Sequence, residues 1–479
     1  MKILPGKARI VCTLGPYSRE PAILSRMTEA GMDVARLNFS HGSHDDHARL
    51  ITGVRNTAQE AGVPLCIMQD LQGPKIRIGA LADGSVELVA GKTVVITTDP
   101  CPGSAERVPT SFLSLPHNVH TGDTVLLDDG KIRLTVLTTS EKDVTCEVNV
   151  GGKLSSRKGI NLPGVALSIP SLTLKDLEDL AFGIKNEVDY TALSFVRSAD
   201  DVRALRRAVE QCAGPGTYHP VVAKIEKPQA LLNIDAIIAE ADGIMVARGD
   251  LGVEIAPEEV PLHQKRIIAK CNRAGKPVIV ATQMFESMIV NPMPTRAEAS
   301  DAANAVLDGA DAVMLSGETS IGAYPVEAVA MMTRIIHNVE NEAGRAWQST
   351  HTAPEDERDN HEALGKAACA LAEQIHAAAI VTVTQSGMTA RIVAHHRPRT
   401  PIVAVTNSEA TLRRLNLVWG VNGLLVDQVF PDSDRTLRAV EDRLAAEGVL
   451  HSGETYVLIA GQPLFAGGRT NLIKVEYRR

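Results

Sequence analysis

Aromatic residues are scarce in this chain, 3% of the whole. Proteins that hold single-stranded nucleic acid stack bases on exposed rings, and so thin a supply argues against that class. Basic excess is missing too. Lys and Arg number 49 against 57 Asp and Glu, a formal net charge of -8, with no Arg-rich tail or stripe, which again disfavours a nucleic-acid partner. The cysteines Cys12, Cys66, Cys101, Cys146, Cys212, Cys271 and Cys369 stand singly, odd in number and without a C-x-x-C pair. That spacing argues against a cysteine zinc site or a disulfide framework and suits buried thiols in a reducing compartment. No apolar run approaches the ~18 residues of a membrane helix, and the opening "MKILPGKARIVCTLGP" lacks the apolar stretch of a signal peptide. The expectation is a soluble, cytoplasmic protein without a membrane partner.

What is present is ample material for burial: 44% of the 479 residues are hydrophobic, enough to exclude wholesale disorder. At about 150 residues per domain the length predicts roughly three domains. Short apolar runs alternate with helical patterns. "ARIVCTLGP", "DVARLNFSHG" and "PLCIMQD" read as strands, separated by helices closed at Gly31 and Gly62. From Gln72 to about Ser168 helical periodicity vanishes, and β-rich pieces such as "GKTVVITTD" and "IRLTVLTTS" alternate with Gly and Asp turns, which predicts an all-β insertion. The helix-strand rhythm then resumes, with strands "VDYTALSFV", "HPVVAKIE", "DGIMVARGD", "KPVIVATQM" and "DAVMLSGET". Three strands before the insertion and five after it predict a (β/α)₈ barrel interrupted after its third strand, ahead of an open doubly wound sheet. A polar stretch, "STHTAPEDERDNH", reads as a linker to a last α/β unit. The expected divisions are barrel 1–71, β lid 72–168 folded as a small β-barrel, barrel 169–345 and C-terminal α/β domain 346–479.

In such a barrel the chemistry sits at the C-terminal strand ends. Strand two ends in Arg36, Asn38, Ser40 and His41, strand three in Asp70, and strand five in Lys224 and Glu226. Strand six ends in Arg248 and Asp250, strand seven in Thr282 and Gln283, and strand eight in Ser316 and Glu318. Each has an ordinary reading. A lone K-x-E on a strand is most often a surface ion pair, a lone Asp beside glycines a turn residue, and Arg36 or Arg248 a structural partner. Six strand ends agreeing on one rim outweigh those readings. Side chains alternate along a strand, so Lys224 and Glu226 point the same way. Glu226 and Asp250 are oxygen ligands for a hard cation such as Mg²⁺. Gly249 and Gly252 let backbone N–H groups approach an anion, aided by a helix expected to begin near Leu251. Lys224 would then neutralise a transferring phosphoryl group.

The strings "RLNFSHG", "GPKIR", "KGINLPG", "AKIE", "DGIMVARGDLGVEI", "ATQM", "NPMPTRAE", "SDAANAVLDGAD" and "MLSGETSIGAYP" resemble the pyruvate kinase family, over the whole chain and most densely from Lys224 to Tyr324. The resemblance implies Mg²⁺- or Mn²⁺-dependent phosphoryl transfer from phosphoenolpyruvate to ADP, giving pyruvate and ATP, the last step of glycolysis. By likeness, Glu226 and Asp250 hold the metal and Lys224 stabilises the phosphoryl group in flight. Thr282 helps protonate the enolate, Arg36 contacts phosphate, and the backbone at Gly249 and Asp250 holds the substrate carboxylate. Asn38, His41, Arg77 and Lys158 face the nucleotide, and Asp129 matches a lid residue that meets the barrel on closure. The C-terminal unit resembles the family's effector domain. "TQSGMT", with Thr384, Ser386 and Thr389, offers hydroxyls and N–H groups ahead of a helix as a cradle for a phosphorylated effector, with Arg469 as a second contact. The family's homotetramer is carried as an expectation.

One departure stands out. K⁺-dependent family members read Asp-Thr-Lys-Gly-Pro-Glu after the third strand; here the run is Asp70-Leu71-Gln72-Gly73-Pro74-Lys75. Asn38, Ser40 and Asp70 still match the K⁺ cradle, Leu71 does not, and Lys75 stands where the family has Glu. A tethered ammonium there makes K⁺ dispensable. Two rival readings are a Mg²⁺-dependent C–C lyase on the same barrel and a metabolite sensor that no longer catalyses.

Overall fold

The computed structural model describes residues 6–165, 169–343, 360–427, 430, 433–465 and 469–478. The expected division points at 168 and 345 and most of the expected linker lie outside them. Eight parallel strands close into a barrel: Arg9–Thr13, Val34–Asn38, Cys66–Asp70, Tyr190–Leu193, Val221–Ile225, Gly243–Ala247, Val278–Ala281 and Ala312–Leu315. The first pairs with the eighth through Arg9↔Ala312 to Cys12↔Leu315, so the open doubly wound sheet is excluded. Strands buried on both faces read as continuous apolar runs. Inside the ring, Val11, Met68, Val222, Met245, Ile279 and Met314 form a packed core. Helices start where the sequence supplies caps: Ser43 with Asp46, Thr173 with Asp176 and Thr295 with Glu298 each form a reciprocal capping box.

An alternating pattern secures the N-terminal end of the barrel. An aspartate directly precedes each even strand, and its carboxylate accepts a backbone N–H from the preceding odd strand. The pairs are Asp33 with Ile10 at 2.8 Å, Asp189 with Ile67 at 2.8 Å, Asp242 with Val221 at 2.8 Å and Asp311 with Val278 at 2.9 Å. Each carboxylate also meets an arginine: Arg9, Arg55 and Arg413, Arg206, and Arg397 respectively. Arg397 and Arg413 come from the C-terminal domain, and Arg9 reaches the Val418 carbonyl there at 3.1 Å. The C-terminal domain therefore docks on the end of the barrel opposite the strand ends that carry the chemistry.

The insertion follows the third strand, as expected, around its own apolar core. Its strands are ordered as a six-stranded and a two-stranded sheet; the segment at Arg77 and Ile78 bridges both edges of the larger one, through Arg77↔Gly159 and Ile78↔Thr110, and a short helix, Leu115–Asn118, lies among the described residues. The C-terminal domain is a five-stranded sheet in which only the last strand, Leu472–Tyr477, runs antiparallel. Its helices Asn360–Gln374 and Met388–His395 alternate with strands Ile380–Val383 and Ile402–Thr406, the alternation expected of an α/β unit.

Candidate active site

Lys224 is the hub of the barrel mouth. Its Nζ lies 2.9 Å from Glu226 Oε1 and 3.2 Å from Asp70 Oδ1, and donates to Ser194 Oγ at 2.8 Å. Asp70 Oδ2 accepts from Arg36 at 2.6 Å, and Arg36 also donates to Thr13 Oγ1 at 2.9 Å. Arg36, Asp70, Lys224 and Glu226 thus form a row of alternating charge across strands two, three and five, all buried. Burial alone would lower the Lys224 pKa, but Asp70 and Glu226 outweigh it and raise it well above the ordinary lysine value. Burial likewise opposes ionisation of Asp70, yet Lys224 and Arg36 hold its pKa below the usual range. Glu226 differs: burial, reinforced by Asp250, raises its pKa despite Lys224 and the Phe195 N–H bond of 2.8 Å. Two carboxylates at one mouth, one of them short of positive charge, suit a hard divalent cation. Glu226 and Asp250 fit that role.

The helix after strand six begins at Arg248 and runs to Glu254, three residues earlier than expected. Gly249 therefore lies in its first turn, where its N–H donates to Thr282 Oγ1 at 2.7 Å. A Cβ on Gly249 would come within 3.2 Å of that oxygen, so a larger residue there would push Thr282 back by a few tenths of an ångström. Gly252 is a correction: it sits inside the helix, where a Cβ would meet Val260 at ordinary contact distance, and it does not serve an anion. Thr282 has φ +68° and Gln283 φ +55°, left-handed backbone that costs a β-branched residue of order 1–3 kcal/mol and clusters at functional sites. Arg248 holds this turn, donating to the Thr282 and Gln283 carbonyls at 2.8 and 3.2 Å while paired with Asp301 at 2.7 Å. It acts as a strut, as its ordinary reading expected. The ends of strands seven and eight bring a second correction. Glu318 turns inward, accepting the N–H groups of Ser316 and Phe285 at 2.6 and 2.8 Å, and Gln283 is exposed. Neither joins the charged row.

Asn38 Oδ1 accepts the Ser40 N–H at 3.1 Å. Leu71 buries its side chain in the main core and presents only its carbonyl, which accepts from Ser194 Oγ at 2.7 Å. His41 is held below the ordinary histidine pKa by burial and then by Arg77, Lys75 and Arg36, which puts four candidate residues in one electrostatic neighbourhood. Lys75, Asn161, Phe195, Lys227 and Asp250 line a cavity of about 50 Å³ between lid and barrel. In the lid, Lys158 pairs with Asp128 at 2.7 Å and Arg77 donates to the Arg157 carbonyl at 3.2 Å. Asp129 is exposed with φ +55°, beside Gly130, whose Cβ position faces Val253 of the barrel. Asn161 donates to Glu254 at 3.1 Å, and Lys227 pairs with Glu254 at 2.6 Å. Thr13, Ser194, Lys227 and Glu254 were not anticipated. Thr13 and Ser194 end strands that read as unremarkable buried runs, "RIVCT" and "ALSF", and Lys227 and Glu254 read as ordinary surface charges.

In the C-terminal domain Thr384 Oγ1 accepts the Gly387 N–H at 2.9 Å, and Arg391 donates to the Ser386 carbonyl at 3.2 Å. Thr389 bonds Thr470 at 2.9 Å, which brings the neighbouring Arg469, exposed, to the same turn.

Comparison with known proteins agrees with this geometry. Residues 6–329 match the family model "Pyruvate kinase, barrel domain" and residues 362–476 "Pyruvate kinase, alpha/beta domain". A pyruvate kinase of Sporosarcina psychrophila is 44% identical over 478 residues, covering 98% of this chain and 80% of that protein. One of Corynebacterium glutamicum is 45% identical over 470 residues, covering 98% and 97%. The crystal structure of a pyruvate kinase from Cryptosporidium parvum superposes with a TM-score of 0.90 at 37% identity, covering 99% of this chain and 97% of that one. With both segments matched and nearly the whole length covered, the chain belongs to the pyruvate kinase family, whose members are phosphotransferases.

Proposed function

We propose that this protein transfers the phosphoryl group of phosphoenolpyruvate to ADP, giving pyruvate and ATP, as the last step of glycolysis. The observation that carries the reading is Lys224, buried between Asp70 and Glu226 at the mouth that Asp250 also lines. Glu226 and Asp250 would hold Mg²⁺ or Mn²⁺, which supplies charge neutralisation at the phosphoryl and enolate oxygens when bound. Lys224 offers a preorganised ammonium to the phosphoryl group as it leaves one oxygen for another, and Arg36 holds the phosphate from the far side. The Gly249 and Asp250 N–H groups receive the substrate carboxylate, for which Gly249 exchanges its bond to Thr282. The lone pair so freed on Thr282 Oγ1, whose own hydrogen is donated to the Ala281 carbonyl at 2.6 Å, orients the water that protonates C3 of the enolate. Asn38, His41, Arg77 and Lys158 address the nucleotide. The lid, with Asp129 at its barrel-facing turn, excludes water on closing.

Lys75 supplies the positive charge that a monovalent cation would bring, so K⁺ is dispensable; Asn38, Ser40 and Asp70 are the remnant of that cradle. The turn Thr384–Thr389, with Arg469, takes a phosphorylated effector. A cytoplasmic homotetramer with a lid spanning 72–168 and an effector domain from 346 completes the proposal. The test is a coupled assay of pyruvate formation from phosphoenolpyruvate, with and without ADP and Mg²⁺. Formation that depends on both supports the reading. Pyruvate released without ADP favours a lyase, and none at all favours a sensor.

A further inference from the structure

At the flank where the C-terminal domain meets the barrel, three side chains outside the rim converge. Glu362 lies in the first turn of helix Asn360–Gln374, His395 ends helix Met388–His395, and His396 follows it. Glu362 Oε2 is 3.1 Å from His395 Nδ1 and 3.2 Å from His396 Nε2. Consecutive histidines thus reach one oxygen through opposite ring nitrogens, their rings stacked at 5.2 Å. The three potential ligand atoms lie within 4.8 Å of one another. His396 Nε2 is buried and faces the Glu362 carboxylate. Gly365, one turn along from Glu362, leaves room for this ring: a Cβ there would stand 3.4 Å from Nε2.

We propose that Glu362, His395 and His396 bind a borderline transition-metal dication, zinc being the type, with solvent as the fourth ligand. Zinc holds His nitrogen and carboxylate oxygen at about 2.0–2.1 Å, which on a tetrahedron places neighbouring ligand atoms about 3.3 Å apart. The two Glu362–histidine separations, 3.1 and 3.2 Å, need to open by roughly 0.1–0.3 Å, and the two histidine nitrogens, within 4.8 Å of each other, are drawn together by the same ion. Two imidazoles and one carboxylate favour zinc or cobalt over magnesium, which takes oxygen ligands and keeps its water. The side chains of the two histidines are each 12% exposed and that of Glu362 30%, so an ion can enter and an open position faces water. The scattered cysteines argued against a thiolate zinc site, and this cluster uses none. Bound metal would pin the start of one helix to the end of the other, whose own start is the Thr384–Thr389 turn.

The experiment titrates Co²⁺ into the full chain under saturating Mg²⁺, which occupies oxygen sites at the barrel mouth. The expected result is the intense visible absorption of tetrahedral Co²⁺ at a single equivalent, displaced by Zn²⁺ and lost in His396→Asn and in Glu362→Gln. Zinc should also raise the melting temperature of the wild type by several degrees, reversibly with EDTA, and leave either variant unmoved. If one variant fails to fold, the other carries the comparison. Only weak octahedral bands, or a tetrahedral spectrum that survives both substitutions, would overturn the proposal and leave the cluster as a hydrogen-bonded ion pair.

Discussion

Replacing Lys224 by methionine keeps most of the length of the side chain and removes its charge. The structure sets the scale. At an effective dielectric of about 20, unit charges roughly 3 Å apart attract by about 5 kcal/mol, and Lys224 has carboxylates at 2.9 and 3.2 Å. If only half of one such attraction passes to the phosphoryl oxygens in the transition state, its loss slows transfer by about a hundredfold. The folded state changes as well. Asp70 keeps Arg36 at 2.6 Å, but Glu226 retains only the Phe195 N–H. The Glu226 pKa, already raised by burial, then rises further, so metal binding persists but weakens as pH falls. The assay follows pyruvate formation and, separately, tritium exchange from the methyl group of pyruvate. Phosphoryl transfer should fall by about 10²-fold or more while exchange, a separate step at Thr282, survives. Turnover near wild type would refute the reasoning. Loss of both activities together would place Lys224 in the proton step as well.

Other consequences are open to measurement. With Mg²⁺ in a tetramethylammonium buffer free of sodium and potassium, the wild type should be nearly fully active, whereas Lys75→Glu should lose activity and regain part of it with K⁺; many-fold activation of the wild type by K⁺ would sink the tethered-cation reading. A sugar monophosphate or AMP should lower the apparent phosphoenolpyruvate constant, and Ser386→Asp should abolish that shift; a saturation curve unmoved by every candidate counts against the Thr384–Thr389 turn. Burial, helped by Arg414, lowers the His219 pKa from 6.5 to about 4. The stability gained from keeping this ring neutral is complete above pH 6.5 and is lost as pH falls through about 4, on the order of 3 kcal/mol at most. His219→Gln should flatten that part of the urea-denaturation profile, and an unchanged profile would assign the acid sensitivity elsewhere.

Much of the rim was legible because each apolar strand announces its own end: "AKIE" and "ARGD" leave no other place for their charges. What stayed hidden depends on backbone conformation or on ordinary residue types. Nothing in "ATQM" signals a threonine at φ +68°, or that Gly249 is small to admit its hydroxyl. Ser194 looked like any buried serine until Lys224 was found bonded to it. Glu318 resembled a rim acid, yet two backbone N–H groups claim it. The aspartates before the even strands were readable in "DVARL", "VDYTAL", "ADGIMV" and "DAVML", but their alternation has meaning only once the ring is closed. In the C-terminal domain the strand Val421–Leu425 is hard to read because "VNGLL" carries Asn and Gly inside it, which breaks the apolar run that marks a parallel strand.

The central claim is that the divalent ion of this reaction sits on Glu226 and Asp250. It is tested most directly by Mn²⁺ binding, followed by electron paramagnetic resonance, in the wild type and in the Glu226→Gln/Asp250→Asn double variant, alongside ADP-dependent pyruvate formation. Mn²⁺ bound to the wild type should support turnover, and the double variant should lose that ion and the activity together while remaining folded. Undiminished Mn²⁺ binding and activity in the folded double variant would contradict it.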